Sequence, residues 1–457
     1  MKKLLLSLLG GAAALMGWGQ NAAPAPTTVN HADWSRNAVI YEVNVRQFTP
    51  EGTFKAMENH LPRLKDLGVD ILWFMPIHPI SQDDRKGKLG SYYAVADYKG
   101  VNPEFGSLDD FRDMVKAAHN LGMKVIIDWV PNHSGRDNAW VKNHPDWYKR
   151  DDSGKMFGPF DWTDVYEFDY SNPAMRAGMT DAMSFWLREA DIDGFRCDVA
   201  GRVPVSFWDE NRKALEAVKP GIFMLAEATE PELLQNAFDM DYNWPMKDLF
   251  SAIAATSGQY TFKDAEGKMK TFPEAHAADI LAQLDKEAAM YPADSYLMNM
   301  ITNHDLNSWE GTEFERLGNL QGAFAVLTFT LPGMPLIYTG QEVALDRAFE
   351  FFDKDEQPAW DSKPEVVNFY KTLTNLRHTR PELAAGDKGA AVEALPTASP
   401  DVIAFRRGNV LTIANLGSKE ERLFKKAPKI DGATELFTGA NALPKTLPAG
   451  GYLVFVK

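Results

Sequence analysis

From about Trp34 to Thr339 the chain alternates short runs of contiguous apolar residues with longer stretches in which apolar side chains recur every three or four positions. A short apolar run bounded by turn residues suits a strand buried on both faces, whereas the wider spacing gives a helix one apolar stripe with which to cover it. The runs predict strands at 39–45, 70–76, 124–130, 193–199, 222–227, 237–242, 297–302 and 335–339, the sixth having the weakest pattern. Helices are predicted between them, for example at 107–121 after a Ser107 cap, at 173–190 and at 317–331. Eight such α/β units closing on themselves form a (β/α)8 barrel, here assigned to 34–384, whose reactive residues belong at the C-terminal ends of the strands. Between the third and fourth strands, residues 134–172 are dense in Trp, Asp, Gly and Pro and read as a loop-rich insertion walling one side of a cleft. From 385 the helical spacing stops. Short alternating strands at 391–395, 402–407, 410–416, 434–438 and 452–456 predict a C-terminal all-β sandwich domain over 385–457.

The N-terminus has a different pattern. Lys2 and Lys3 precede an apolar run from Leu4 to Leu15, and Gly17 and Gly19 offer small residues for cleavage, so 1–19 reads as a secretory signal peptide in preference to an anchor helix. The expectation is a secreted or periplasmic protein with no stable membrane insertion once the signal is cleaved. Residues 20–33, rich in Ala, Pro, Thr and Asn, read as an extended linker. Cys197 is the only cysteine, so no disulfide forms within the chain, and it lies far from any lipid-attachment position. A content of 45% hydrophobic and 12% aromatic residues supports a large core and excludes general disorder. The formal net charge of −15 excludes a polyanion such as nucleic acid and suits a neutral ligand such as a sugar.

Four clusters fall at predicted strand ends: Asp128-Trp-Val-Pro-Asn-His133, Gly194-Phe-Arg-Cys-Asp198, Ala226-Glu227 and Asn303-His304-Asp305. Arg196 and Asp198, two apart on a strand, face the same way, and the guanidinium is expected to favour the ionised carboxylate that a nucleophile needs. Glu227 ends an apolar run, where desolvation is expected to raise its proton affinity. One charged and one protonated carboxyl group are the pair that glycoside cleavage requires. Asp305 adds a third acid, and His133 and His304 can donate to sugar hydroxyls. Any one of these acids alone equally suits a helix cap or solvated loop. Their coincidence at strand ends points to a carboxylate-based site for a neutral ligand, without naming it.

In this order, the clusters resemble the sequence regions of the α-amylase family of glycoside hydrolases (family 13), which have a TIM-barrel fold. The resemblance extends to Gly90-Ser-Tyr-Tyr-Ala-Val-Ala-Asp-Tyr98, Val101-Asn-Pro-Glu-Phe-Gly106, Ala118-His-Asn-Leu-Gly122 and Gly333-Met-Pro-Leu-Ile-Tyr338, and covers the chain from about Trp34 to Pro381. It implies Asp198 as nucleophile, Glu227 as acid/base and Asp305 as transition-state stabiliser. It further implies Tyr93, His133, Arg196 and His304 as sugar contacts, and Asp128 as a supporting residue. The match has departures. After Asp198 the chain reads Val-Ala-Gly-Arg202 in place of the Lys-His pair of many true α-amylases, which leaves the leaving-group side undefined. Asn132 matches a calcium-binding position, yet Glu167 stands where the partner motif usually has Asp. The resemblance therefore leaves calcium open, and Asn132 equally suits a turn.

The insertion carries Trp140, Trp147, Tyr148, Phe157, Phe160 and Trp162, which could stack on glucose rings; the expectation is that most pack the insertion's own core. The function implied is retaining hydrolysis of α-1,4-glucans, as in starch degradation. A transglycosylase or sugar isomerase using the same residues, or a non-catalytic glycan-binding scaffold, is the alternative. The first is separated by its products; the second is expected to lose acids from the site, whereas Asp198, Glu227 and Asp305 all remain here.

Overall fold

The computed structural model describes residues 26–430 and 432–457; the expected signal peptide and the first part of the expected linker lie outside the described residues. Eight parallel strands close a barrel: Ile40–Val43, Ile71–Phe74, Lys124–Trp129, Gly194–Cys197, Phe223–Ala226, Met240–Tyr242, Tyr296–Asn299 and Met334–Tyr338. Each pairs with its successor in the chain, and the eighth returns to the first through Ile40 and Leu336. The sixth strand is shorter than expected because the carbonyl of Ala237 is taken by the Arg212 guanidinium at 2.9 Å, outside the ladder.

Strand alternation sorts the barrel interior into two ends. Ile40, Ile71, Ile126, Phe223, Met240 and Met334 fill its apolar part. One inward position further along their strands come Glu42, Trp73, Asp128 and Tyr242, and Arg196 lies beside Asp128 in register. Polar side chains therefore meet at the C-terminal mouth.

The helix Leu108–Asn120 opens with a reciprocal capping box between Ser107 and Asp110, and Pro173–Glu189 opens with Asn172 as cap and Pro in its first turn. The single helix expected at 317–331 is instead broken into Glu313–Leu317, a 3₁₀ turn Gly318–Leu320 and Gln321–Thr330, Gly318 taking a positive φ of 55° between them. In the insertion, His133–Gly135 pairs antiparallel with Val165–Glu167. Trp147 and Tyr148 are buried there, as expected of core residues, whereas Phe157 and Phe160 are 37% and 49% exposed.

The C-terminal domain is a five-stranded antiparallel sheet. One face, with Ile403, Phe405 and Val454, joins the barrel's core; the other, with Ala404, Ile413 and Phe455, packs separately with Leu423 and Leu447. Leu447 belongs to a two-stranded ribbon, Glu421–Arg422 with Thr446–Leu447, too short to give a readable alternation, so the second layer is this ribbon alone. The linker expectation needs correction over 26–33. Thr28 donates its N–H to the Gln235 carbonyl at 2.7 Å, and His31 is buried against Asp239 at 2.8 Å, so this stretch is docked on the barrel. No helix among the described residues is long and apolar enough to cross a membrane.

The fourth strand begins at Gly194, whose φ is 150° and whose notional Cβ would lie 1.8 Å from the Phe223 carbonyl oxygen. That contact sets the spacing between the strands leading to Asp198 and Glu227. Gly194→Ala is expected to cost more than about 3 kcal/mol or abolish soluble expression, measured by urea unfolding; an unchanged midpoint would contradict it.

Candidate active site

Arg196 lies at the centre of the mouth, fully buried. Its Nη1 donates to Asp128 Oδ1 at 2.9 Å and to Asp198 Oδ1 at 3.1 Å, its Nη2 ion-pairs with Glu227 Oε2 at 3.0 Å, and its Nε donates to the Tyr242 hydroxyl at 3.1 Å. Nucleophile and acid/base candidates thus share one guanidinium. Each has one oxygen without a hydrogen-bond partner in the protein. Asp198 Oδ2 is buried without a partner, and Glu227 is held through Oε2 alone, which also accepts the Val199 N–H at 2.8 Å.

The sequence expectation for Asp198 is only partly met. Burial raises its proton affinity well above the carboxylate range, Glu227 raises it further, and Arg196 opposes both without prevailing. Two carboxylates beside one cation compete for it, and desolvation penalises charge on either. Glu227 is also less isolated than its apolar run suggests, being held by the Val199 amide and Arg196.

A second chain of contacts crosses from the first strand to the third. Burial disfavours a charged His304 ring, but Asp305 and then Glu42 outweigh it and raise its pKa to about 9. The ring is therefore doubly protonated at neutral pH: Nδ1–H donates to Glu42 Oε1 at 2.5 Å and Nε2–H to the Tyr93 hydroxyl at 2.7 Å. Tyr93 in turn donates to Asp128 Oδ2 at 3.1 Å, where the Trp73 indole N–H also arrives at 3.3 Å. With burial dominating, Asp128 rises to about 6. Asp305, at the start of the π-helical turn Leu306–Glu310, lies 3.4 Å from His304 Nε2 and is 36% exposed. Tyr93 stacks on His304 with centroids 5.5 Å apart and runs parallel to Phe351 at 6.3 Å. His133 is buried and its pKa falls to about 3, so its ring is neutral; Nδ1 faces the Asn132 amide at 3.3 Å, and Nε2 has no partner.

All eight residues singled out from the sequence therefore lie at one mouth. Sequence reasoning missed Glu42, Trp73, Tyr242 and Phe351. Glu42 had a signal, a charge within the apolar run Ile-Tyr-Glu-Val, but its partner is 262 positions away.

The two positions considered for calcium make other contacts. The Asn132 amide is turned to His133, and Glu167 is already neutralised by the Lys149 ammonium at 2.7 Å. A calcium ion takes six to eight oxygens, and among the described residues no group of three or more His, Cys, Asp or Glu side chains is arranged for a metal.

Residues 27–359 match the sequence profile described as alpha amylase, catalytic domain. Among curated proteins, an alpha-amylase MalA of Haloarcula japonica is 28% identical over 368 residues, which is 77% of this chain and 50% of that protein. Neopullulanase 2 of Thermoactinomyces vulgaris is 28% identical over 407 residues, 78% of this chain and 65% of its own. The chain thus spans between half and two thirds of these relatives. Among solved structures, a maltogenic alpha-amylase AmyB of Thermotoga neapolitana superposes with a TM-score of 0.76 at 29% identity, covering 92% of this chain and 99% of that one.

The Glu42–His304 pair gives a pH prediction. The ring's proton affinity rises from 6.5 to about 9 on folding, so its stabilisation is complete below pH 6.5 and is lost as pH climbs through about 9. Glu42→Gln removes one of the two acids holding that proton. Melting temperatures are expected to fall at lower pH in the variant than in the unsubstituted protein; superimposable profiles would exclude the coupling.

Proposed function

The chain belongs to the α-amylase family of glycoside hydrolases, and from that membership and the geometry at the barrel mouth we propose that it hydrolyses α-1,4-glucosidic bonds of starch or maltooligosaccharides with retention of configuration. The observation that carries this reading is the single Arg196 guanidinium contacting both Asp198 and Glu227, with one oxygen of each left over for a substrate. A retaining enzyme needs its two carboxyl groups close enough for one to attack and the other to protonate at the same bond.

In the first step Glu227 protonates the glycosidic oxygen while Asp198 Oδ2 attacks the anomeric carbon. The Val199 amide and Arg196 favour negative charge on Glu227 Oε2, so the transferable proton sits on Oε1. Burial and the neighbouring acids raise the proton affinity of Asp198 and Asp128, and the first step requires that Asp198 be ionised when it attacks. As the leaving sugar departs, positive charge builds at the ring, and these acids stabilise it electrostatically. In the second step Glu227, now a base, takes a proton from water, which opens the glycosyl ester with Asp198. Neutral His133 donates from Nε2 to a sugar hydroxyl, and cationic His304 orients Tyr93 and Asp305.

Export remains part of this proposal, resting on Lys2, Lys3 and the apolar run behind them. The insertion is proposed to need no calcium, Lys149 supplying the positive charge at Glu167.

Asp198→Asn and Glu227→Gln are each expected to lower kcat on maltoheptaose by roughly 10³-fold or more, without loss of the folded baseline in circular dichroism. Near-native turnover in either would overturn the assignment. NMR of the first product formed should give the α anomer. Excess EDTA should leave Tm unchanged, whereas Lys149→Met should lower it; a drop with EDTA that calcium reverses would contradict the Lys149 reading.

A further inference from the structure

The cleft runs past Arg196 in two directions. Glu227, fastened to the Val199 N–H, marks the end toward which a leaving group departs. Tyr93, His304 and Phe351 mark the opposite end, where the sugar units retained on Asp198 must lie. Two walls flank that end: the insertion, and the loop after the eighth barrel strand that carries Phe351 to Asp353. A third segment, 82–90, follows the second barrel strand and makes contacts with both.

Each half of this segment is pinned. Toward the insertion, Gln82 donates its N–H to Asp137 Oδ2 at 2.7 Å, Asp84 ion-pairs with Arg136, and the Lys86 ammonium reaches the buried Asp164 at 3.0 Å. Toward the other wall, Lys88 donates its N–H to Asp353 Oδ1 at 2.9 Å, and Leu89 donates its N–H to the Phe352 carbonyl at 3.0 Å. The chain between these anchors is not slack. Arg85 donates to the carbonyls of Ser81 at 3.1 Å and of Ile80 and Lys88 at 3.2 Å, and Asp84 is held at a left-handed φ of 53°. A notional Cβ on Gly87, where φ is 62°, would lie 2.5 Å from the Phe352 Cβ, so only glycine allows the segment to press against that wall. Lys86 also sits near enough to His133 that its charge adds to burial in keeping that ring neutral. The crossing therefore lies beside the sugar pocket and not at a remote rim.

We propose that segment 82–90 bridges the two walls and closes the cleft beyond the retained sugar units, so that the protein is exo-acting: it admits a glucan only by its free non-reducing end and releases a short product of uniform length. The units retained on Asp198 carry the non-reducing end of the chain, since the anomeric carbon under attack belongs to them. A cut in the interior of a glucan needs the cleft open in both directions, because the chain continues on either side of the bond. A main chain anchored to both walls blocks one of those directions by excluded volume, which discriminates against interior segments without any contact to the sugar that does fit. The anchors on one side are backbone N–H groups, which hold the crossing more rigidly than long side chains would. This inference rests on the proposed hydrolysis of α-1,4-glucans and adds the direction of attack to it.

The test compares p-nitrophenyl maltoheptaoside with the same compound carrying a 4,6-O-ethylidene block on its non-reducing glucose, each followed by chromatography of the shortened chains. The ratio of kcat/KM on the blocked substrate to kcat/KM on the free one is expected to lie below about 0.05 in the unsubstituted protein. Replacing 83–88 by a glycine pair is expected to raise that ratio roughly tenfold or more. The double variant Lys86→Ala/Asp353→Ala, which releases an anchor on each wall and keeps the chain length, should raise it in the same direction. On amylose, iodine colour should fall slowly relative to the reducing ends formed, and faster in the shortened variant. A ratio near one in the unsubstituted protein overturns exo action, and an unchanged ratio in the folded variants overturns the bridge as its cause. If the free substrate is not turned over at all, it is the proposed function that fails.

Discussion

A buried guanidinium among carboxylates is the interaction on which the rest of this structure depends. Arg196 has no solvent of its own and reaches Asp128, Asp198, Glu227 and Tyr242 from one planar group. Burying a cation is costly unless its donors are matched, and burying three acids beside it is costlier without it. Lysine could not substitute, because one ammonium point charge cannot hold two carboxyl groups apart at fixed directions. The apolar part of the barrel, the close approach at Gly194 and the strand register that sets Asp128 beside Arg196 all serve to hold this group still.

Around that centre the mouth carries more acid than base. The excess has two consequences that follow from the same desolvation. The proton affinities of Asp198 and Asp128 are raised, and a positive charge developing beside them would be favoured. The His304 chain tempers the excess. Its second proton, held between Glu42 and Tyr93, places a compensating charge beside Asp305 and Asp128 without adding a flexible cation to the cleft. Electrostatics of this type is preorganised, since none of these groups has to move when charge appears.

The two walls of the cleft are built differently. Tyr93 and Phe351 come from loops strapped to the barrel: Arg46 and Lys354 tie the segment around Phe351 to the first strand's exit. The opposite wall comes from the insertion, whose aromatic residues divide into a buried set that makes the subdomain cohere and exposed rings such as Phe160 that face outward. A small excursion cannot bury every aromatic residue it carries, and those left exposed are the ones free to meet a ligand.

Local periodicity is written into neighbouring residues, which is why the eight strands, the Ser107 cap and the clusters Asp128 to His133, Gly194 to Asp198, Glu227 and Asn303 to Asp305 were legible from the chain alone. Alternation also predicted that Arg196 and Asp198 face together, because a strand fixes that direction within two residues. Partners brought together only by closure of the barrel were not legible. Glu42 meets His304 across 262 positions, and Lys149 claims Glu167 through an insertion with little regular structure. The charge state of Asp198 belongs to this second class: Arg196, two residues away, argues for ionisation, whereas burial and Glu227 argue against it, and only the assembled mouth decides which prevails. Sequence thus determined which groups line the barrel's end, through short-range geometry. Tertiary structure decided how they share charge, because desolvation and Coulomb interactions depend on distances that the order of residues along the chain does not contain.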